Sequence, residues 1–435
     1  MGFLSKIFGS AQEDSPSTLF GRNHEIIKSE EQLACWEKAL VAFEAENYID
    51  SIEHFCGYLK DPESELIKIN RQKSQIEFSL IQGSRVIEFY ADSQFFRARA
   101  DIAKVKEDSI GLLRRLLESS YKLIYGRYSL QKDNTISIVF DGYVQEASPN
   151  KLFEGLKEIS LRADKEDDLL LEDFDVLEKI ETNHVIHIEE KEKEIKFKYY
   201  STWISRALKY EDASGLDLNR YPGAQIYILL SVIYKIDYLL IPEGKIMDII
   251  ESGHKSYFDK NEYDLGNKAI QLENLLTTLS NISKEKFYNE MYLVKHIFPI
   301  TRLISTHDLA KSIDVEMSAM DWYYTNRHYG ICKAICDYIV GSNFFNHSIP
   351  YVSHQLMHVY FEIREPEFFK ELGFENKYDL KDLKSLAQIV EEKVRKILKE
   401  EWEDISVFEP NLKFNAQSEV DLLISYIRFI QCIQD

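Results

Sequence analysis

Hydrophobic residues near the start of the chain recur at the spacing of an α-helix. Two apolar stripes of this kind lie at 31–46 and 48–60, after a polar stretch that includes Ser15, Pro16 and Ser17. We therefore predict an N-terminal leader at 1–28 and a helical hairpin at 29–61. The stripes comprise Leu33, Trp36, Leu40 and Phe43 in the first segment and Ile52, Phe55, Cys56 and Leu59 in the second.

From residue 75 the pattern changes to an alternation of apolar and polar residues, which is typical of half-buried strands. Three such runs are followed by a helical segment at 109–125 and two more alternating runs, and Pro149 stands where a further helix would begin. The pattern predicts an α+β domain at 62–173, built on a five-stranded antiparallel sheet with packed helices. The alternating runs lie at 75–81, 85–91, 95–103, 127–131 and 135–141.

Beyond this segment the chain carries a charged stretch and then a long helical pattern. We predict a charged linker at 174–198 and a large all-α domain at 199–435, in which the helical stripes are interrupted at prolines. The most apolar run, Ala224 to Ile241, contains Lys235 and Asp237 and ends before Pro242. We therefore predict a buried helix here and no transmembrane segment.

Composition narrows the classes of function. The chain has 53 basic and 73 acidic side chains, a net charge of −20, which disfavours binding to nucleic acid. Its five cysteines in 435 residues are few, and because their number is odd they cannot all pair, so the sequence does not indicate a disulfide framework. A reducing compartment follows, and we predict a cytoplasmic protein.

Candidate chemistry is concentrated on two helical segments of the C-terminal half. His328, Cys332 and Cys336 are spaced by four residues, as are His354, His358 and Glu362, so each trio would share one helix face and could supply zinc ligands. Their apolar neighbours favour ordinary buried helix faces instead. Gln355 also stands where the zinc-protease helix motif carries its general base. We predict no catalytic residue, no metal and no cofactor, and keep a hydrolase or metal-binding protein that uses His328, His354 and His358 as the alternative.

The α+β segment resembles a known family. The element order, the paired leucines Leu112-Leu113 and Leu116-Leu117 and the strand after Gly126 are similar to those of the type III secretion chaperone-like fold and the related bacterial sensory-transduction regulators. The segment departs from that pattern at Ser119-Ser120, where an asparagine is common. The resemblance covers about a quarter of the chain, at 62–173, and implies a non-catalytic, chaperone-like bacterial module that binds protein.

The helix at 109–125 carries two apolar stripes. One stripe, of Ile110, Leu113, Leu117, Tyr121 and Ile124, is predicted to pack on the sheet of its own domain. The second stripe, of Leu112, Leu116 and Leu123, is then left over, and we predict that these three leucines form a protein-interaction surface.

The resemblance implies that this helix lies at a dimer interface, so a homodimer is one expected partner and the chain's own C-terminal helices are the rival cover. The function predicted from the sequence is a non-enzymatic protein-binding or chaperone-like adaptor. Besides the hydrolase or metal-binding alternative, a purely structural scaffold stays open.

Overall fold

The structure, a computed structural model, describes residues 18–22, 28–60, 66–213, 215–261, 264–375 and 377–433. The chain divides into two compact units. One comprises 26–187 and 292–300 and is called the sheet unit; the other comprises 1–25, 188–291 and 301–435 and is called the helical unit. The fold is mixed, with a large antiparallel sheet and many helices, as the alternation and the helical stripes together predict.

The sheet unit begins with two helices, α1 (Glu30–Glu44) and α2 (Tyr48–Leu59). Its sheet has seven strands in the described residues, in the order β1-β2-β3-β4-β6-β5, with β7 beside the end of β4. Helices α3 (Ile110–Ser120) and α4 (Pro149–Asp173) follow β4 and β6. The strands are β1 (Ile67–Arg71), β2 (Ile76–Gln82), β3 (Arg85–Ala91), β4 (Phe95–Val105), β5 (Arg127–Leu130), β6 (Thr135–Tyr143) and β7 (Leu177–Lys179).

The five predicted strands are all present, but the expected count of five is wrong. β1 reads IKINR, and only Ile67 is buried because this strand lies at the edge of the sheet, so it lacks the alternation that marks the others. β7 has three residues, LEK, in the stretch expected to be a charged linker. It pairs with β4 at 103–105, just beyond a register shift between Asp101 and Ala103.

One apolar core holds the sheet unit together. Buried residues of α2, such as Phe55, belong to the same cluster as the inward residues of β2, β3, β4 and β6 and as Leu156 of α4. The segments expected as a separate hairpin, 29–61, and as an α+β domain, 62–173, therefore share one core. Residues 292–300 return to this unit: β9 (Tyr292–Leu293) pairs with β8 (Ile186–His187), and Phe298 is fully buried in the same cluster.

The helical unit contains the remaining helices and one short parallel pair, β10 (Arg302–Leu303) with β11 (His347–Ser348). Its first helix starts inside the expected linker, where Lys196 is fully buried and pairs with Glu192 at 2.9 Å. The helices are α5 (Glu190–Leu208), α6 (Pro222–Leu240), α7 (Gly244–Tyr257), α8 (Leu265–Ser280), α9 (Lys284–Asn289), α10 (Thr306–Thr325), α11 (Tyr329–Asn346), α12 (Tyr351–Arg364), α13 (Pro366–Glu371), α14 (Leu383–Glu401) and α15 (Glu419–Gln431).

Helix α6 occupies the interior of the helical unit. Among the described residues it is the one helix long and apolar enough to cross a membrane, and 83% of its most apolar window is buried. Part of the expected leader packs against it: Arg22 pairs with Asp237 at 2.8 Å, and the Gly21 amide donates to the Tyr238 carbonyl at 2.8 Å. Residues 1–17 and 23–27 of that leader lie outside the described residues.

Candidate functional site

Helix α3 presents its two apolar stripes in the opposite sense to the prediction. Leu112 and Leu116 are 1% and 7% exposed and belong to the core of the sheet unit, and Leu123 is half-buried against it. These leucines are therefore not a free interaction surface. The stripe expected to pack on the sheet is the exposed one, with Ile110 at 80%, Leu113 at 45%, Leu117 at 73%, Tyr121 at 93% and Ile124 at 83% exposure.

Two small features of α3 decide which stripe is buried. Ser119 lies on the same side as Leu112 and is fully buried, so the helix approaches the core closely there. Arg115, on the edge of that side, reaches the buried carboxylate of Glu166 on α4 at 3.8 Å. Helical spacing alone gives two equivalent stripes, whereas a serine within one of them indicates close packing.

The helix also ends earlier than 125. α3 stops at Ser120, and the turn after it is held by one carboxylate: Glu158 of α4 accepts hydrogen bonds from the amides of Ile124, Tyr125 and Gly126 at 2.7–2.9 Å. Ile124, in this turn, is exposed, as Tyr121 is at the end of the helix. We call the five exposed residues Ile110, Leu113, Leu117, Tyr121 and Ile124 the α3 face.

An open groove of about 1120 Å³ lies on the solvent-facing side of the sheet. Outward residues of β1, β2, β3, β4 and β6 line it, and we call it the sheet groove. Across its floor the strands bring residues into rows: Glu77 lies opposite Tyr90, Tyr90 opposite Arg97, and Arg97 opposite Asp141. At one rim Phe95 packs against Tyr143 with ring centroids 5.1 Å apart.

The charges of the sheet groove are paired unevenly. Asp141 accepts two hydrogen bonds of 2.9 Å from Arg127, which with the Arg97 charge lower its pKa. Arg97 shares this carboxylate through a single oxygen, at 3.2 and 3.3 Å. Glu88 pairs with Arg99 at 2.8 Å, and Glu77 accepts from a neutral amide, Nδ2 of Asn70, at 3.3 Å.

The histidines considered as metal or catalytic groups occupy different surroundings in the helical unit. His328 precedes α11 and stacks on Trp322 with ring centroids 5.7 Å apart. His358 lies on α12, with Nδ1 2.9 Å from the Tyr238 hydroxyl and Nε2 3.6 Å from Glu362. Burial lowers the pKa of His358 to about 4, so this ring is neutral at pH 7. His354, one turn earlier, packs against Phe344.

The two cysteines of α11 lie in the interior of the helical unit. Cys332 and Cys336 are fully buried, and burial raises the pKa of the Cys332 thiol to about 12 and that of Cys336 well above its usual value. Within the described residues, no group of three or more His, Cys, Asp or Glu side chains is arranged to hold a metal ion.

The helical unit instead contains a buried charge network that the sequence did not indicate. Lys235 of α6 donates to Glu365 at 2.6 Å and to Asp337 of α11 at 3.2 Å, and Arg364 of α12 binds both Asp337 oxygens at 2.8 and 3.0 Å. Trp203 of α5 donates to Glu365 at 3.0 Å. These groups border a cavity of about 50 Å³. Each charged side chain of the network has a partner of opposite charge, and the network joins α5, α6, α11 and the end of α12.

A second buried polar cluster lies in the sheet unit, where the turn between β2 and β3 meets α4. Asp164 accepts the Ser84 amide at 2.7 Å, and Asp167 accepts both the Ser84 hydroxyl and the Arg85 guanidinium at 2.5 Å. Burial and the neighbouring carboxylates raise the pKa of Asp164 to about 7. This cluster fixes the turn between β2 and β3. The next residue of α4, Asp168, accepts a hydrogen bond from the Tyr292 hydroxyl at 2.5 Å.

No protein-family model matches the chain, and a search of curated proteins finds no similar sequence. The function therefore has to be argued from the two exposed features of the sheet unit, the α3 face and the sheet groove.

Proposed function

We propose that this chain is a non-enzymatic, chaperone-like adaptor that binds protein and self-associates through the α3 face. The observation that carries the proposal is the exposure of five large apolar side chains on one side of α3 and the turn after it. A contiguous apolar patch of this kind on a soluble protein marks an interaction surface. Burying each such side chain contributes roughly 1.5–3 kcal/mol, so a partner would be strongly favoured.

A second copy of the same chain is the occupant that fits the charges beside the α3 face. Arg114 and Glu118 are both exposed and lie four residues apart on one flank of the stripe. When two identical helices pack antiparallel about a two-fold axis, the same flank of each faces the other. With the axis at the level of residue 116, midway between them along the helix, Arg114 of one copy lies opposite Glu118 of the second copy, and the reverse pair forms as well. A parallel arrangement would place like charges together.

The size of the patch agrees with such a dimer. Five side chains with these exposures offer on the order of 500 Å² of apolar surface. A standard interface buries about 800 Å² on each partner, and the flanking side chains would supply the remainder. The interface would be isologous, since each copy contributes the same face.

Other parts of the proposal rest on the cysteines and on the net charge. All five cysteines are free, which supports a reducing compartment such as the bacterial cytoplasm. The net charge of −20 argues against nucleic acid as the partner.

The test is the mass of the protein in solution. We expect the full chain to be a dimer at micromolar concentration, and the double variant Leu117→Asp with Tyr121→Asp to be a monomer with an unchanged circular dichroism spectrum. Val41→Asp is the matched control, because Val41 is 65% exposed on α1 and lies outside the α3 face. A monomeric wild type, or a double variant that stays dimeric, would refute self-association and favour a structural scaffold or a different partner.

A further inference from the structure

The sheet groove carries two charged side chains that are incompletely paired, Arg97 on β4 and Glu77 on β2. At the rim formed by Phe95 and Tyr143, Arg97 and Arg127 share one carboxylate, Asp141. Arg97 is the outer of the two, with 66% of its side chain exposed. Asp92, the other acidic side chain near this rim, accepts hydrogen bonds from the backbone amides of Gln94 and Phe95 at 2.7 and 2.9 Å and from the Tyr90 hydroxyl at 3.1 Å. Because Arg97 shares Asp141 with Arg127 and contacts only one of its oxygens, the exposed guanidinium of Arg97 can bind an added carboxylate.

Two strands away, Glu77 on β2 receives its hydrogen bond from the neutral amide of Asn70. Lys68 on β1 lines the same end of the sheet groove, but among the described residues Glu77 forms no ion pair. The Glu77 carboxylate can therefore accept an added cation.

The spacing between the two ends suits an extended chain. Strands in a sheet lie about 4.8 Å apart, so Arg97 on β4 and Glu77 on β2 are separated by about 10 Å. An extended polypeptide advances about 3.3 Å per residue and its side chains alternate between two faces, so side chains two or four residues apart on one face, at about 7 and 13 Å, bracket this distance. Tyr90 lies between Arg97 and Glu77 in the same row and is 38% exposed.

Tyrosine and arginine are also the residues that most often dominate protein interfaces. The sheet groove offers both, with the exposed rings of Phe95 and Tyr143 at its rim for an apolar side chain. Nucleic acid and other polyphosphates fit poorly, because four carboxylates line the sheet groove against three cations.

We infer that the sheet groove binds an extended polypeptide segment of a partner protein, with an acidic side chain on Arg97 and, two or four residues away on the same face of the ligand, a basic side chain on Glu77. The inference deepens the proposed function, since it names where an adaptor of this kind holds its client and which chemistry it recognises. The ligand lies across the strands, over Tyr90, and its apolar side chain covers the aromatic rim.

Selection of a phage-displayed library of random dodecapeptides on the full chain tests this. We expect the enriched sequences to combine an acidic residue with a basic residue two or four positions away and an apolar residue beside them. Arg97→Gln should weaken binding of the selected peptide about tenfold, the loss typical of one charge-assisted hydrogen bond. Arg97→Lys should retain most of the affinity. Arg206→Gln is the matched control, because Arg206 is 51% exposed on α5 and also pairs with a carboxylate, Glu211.

A thermodynamic cycle makes the assignment specific. Replacing the acidic residue of the peptide by its amide should cost about tenfold on the wild type and less than twofold on Arg97→Gln. Enriched sequences without an acidic residue, no enrichment, or equal losses on both proteins would overturn the inference. Failure here is distinct from failure of self-association, because mass in solution depends on the α3 face and Arg97→Gln leaves that face intact.

Discussion

A single carboxylate, Asp164, shows how the sheet unit makes one backbone turn depend on pH. The turn between β2 and β3 places Gly83 at φ +60°, and a Cβ there would lie 1.8 Å from an oxygen of Asp164. The same oxygen accepts the Ser84 amide. Asp164 thus occupies space that only a glycine leaves open, and it does so in a buried site beside Asp167 and Asp168, with Arg85 as the nearest cation of the cluster.

Because burial raises the pKa of Asp164 from 3.8 to about 7, its protonated form favours the folded state. The stability contributed by that proton is fully present below about pH 4 and is lost as the pH rises through about 7. Burial acts on Asp167 in the same direction, raising its pKa to about 6.

We therefore expect Asp164→Asn to be more stable than the wild type at pH 8, by roughly 1–3 kcal/mol, and to differ little from it at pH 4. Asparagine keeps the oxygen that accepts the Ser84 amide and removes the charge. Urea unfolding at both pH values measures the free energies, and hydrogen exchange of a peptide containing Ser84 measures the turn itself. A variant less stable than the wild type at pH 8 would contradict this account.

At the scale of elements, the strands were predictable where one face is buried in the core and the other is exposed to solvent. β2, β3 and β4 alternate because their inward residues, such as Phe78 and Phe89, pack in the core while outward residues, such as Glu88, line the sheet groove. β1 lacks that contrast, and β7 is too short to show any period. The sheet groove itself could not be foreseen, because it depends on which residues of five strands meet in one row.

Helix α3 marks the limit of helical periodicity as a guide to function. Its two stripes are equally apolar, and the choice between them depends on partners far along the chain, above all on Glu166 and Glu158 of α4. The prediction that Leu112, Leu116 and Leu123 form the interaction surface fails for this reason. One apolar stripe of this helix does lie outside the core, as expected, but it is the stripe of Ile110, Leu113 and Leu117.

The antiparallel arrangement proposed for α3 can be tested by exchanging its flanking charges. Arg114→Glu and Glu118→Arg should each weaken the dimer about 5- to 30-fold, because each places two like-charged contacts across the interface. The double variant should recover the affinity of the wild type, since it restores both opposite-charge pairs. Sedimentation at low and high salt measures the dissociation constants, and the differences should shrink at high salt. Additive losses in the double variant would exclude this geometry.

At the scale of the whole molecule, the two units are stabilised in different ways. The sheet unit has a continuous apolar core, whereas the helical unit adds a buried network in which Asp337 accepts hydrogen bonds from Arg364, Lys235 and Tyr360. Burial alone would raise the pKa of Asp337, but the charges of Arg364 and Lys235 hold it well below its usual range. Its contribution to stability is therefore present above about pH 4 and is lost as the pH falls through that lowered pKa.

Removing this one charge should destabilise the helical unit. We expect Asp337→Asn to lower the free energy of unfolding by roughly 3–5 kcal/mol at pH 7, because it removes the carboxylate that two buried cations share and leaves Lys235 with Glu365 and Arg364 with the part-exposed Glu419. Asp321→Asn on the exposed side of α10 is the matched control and should change stability by less than about 0.5 kcal/mol. Urea unfolding at pH 7 and at pH 3 checks the size and the sign; a loss at pH 3 as large as at pH 7 would contradict the linkage.

The return of residues 292–300 to the sheet unit sets an order of events during biosynthesis. Gln82 of β2 accepts the amides of Ile297 and Phe298 at 3.0 and 2.9 Å, and Phe298 packs on Phe153 of α4. These residues leave the ribosome about 110 positions after His187, a delay of roughly 5–20 s at ordinary rates of translation. Throughout that interval the place that Phe298 fills beside Phe153 is empty, and the Gln82 side chain lacks the two backbone amides that it binds in the folded protein. The core of the sheet unit is therefore completed only after much of the helical unit has been synthesised.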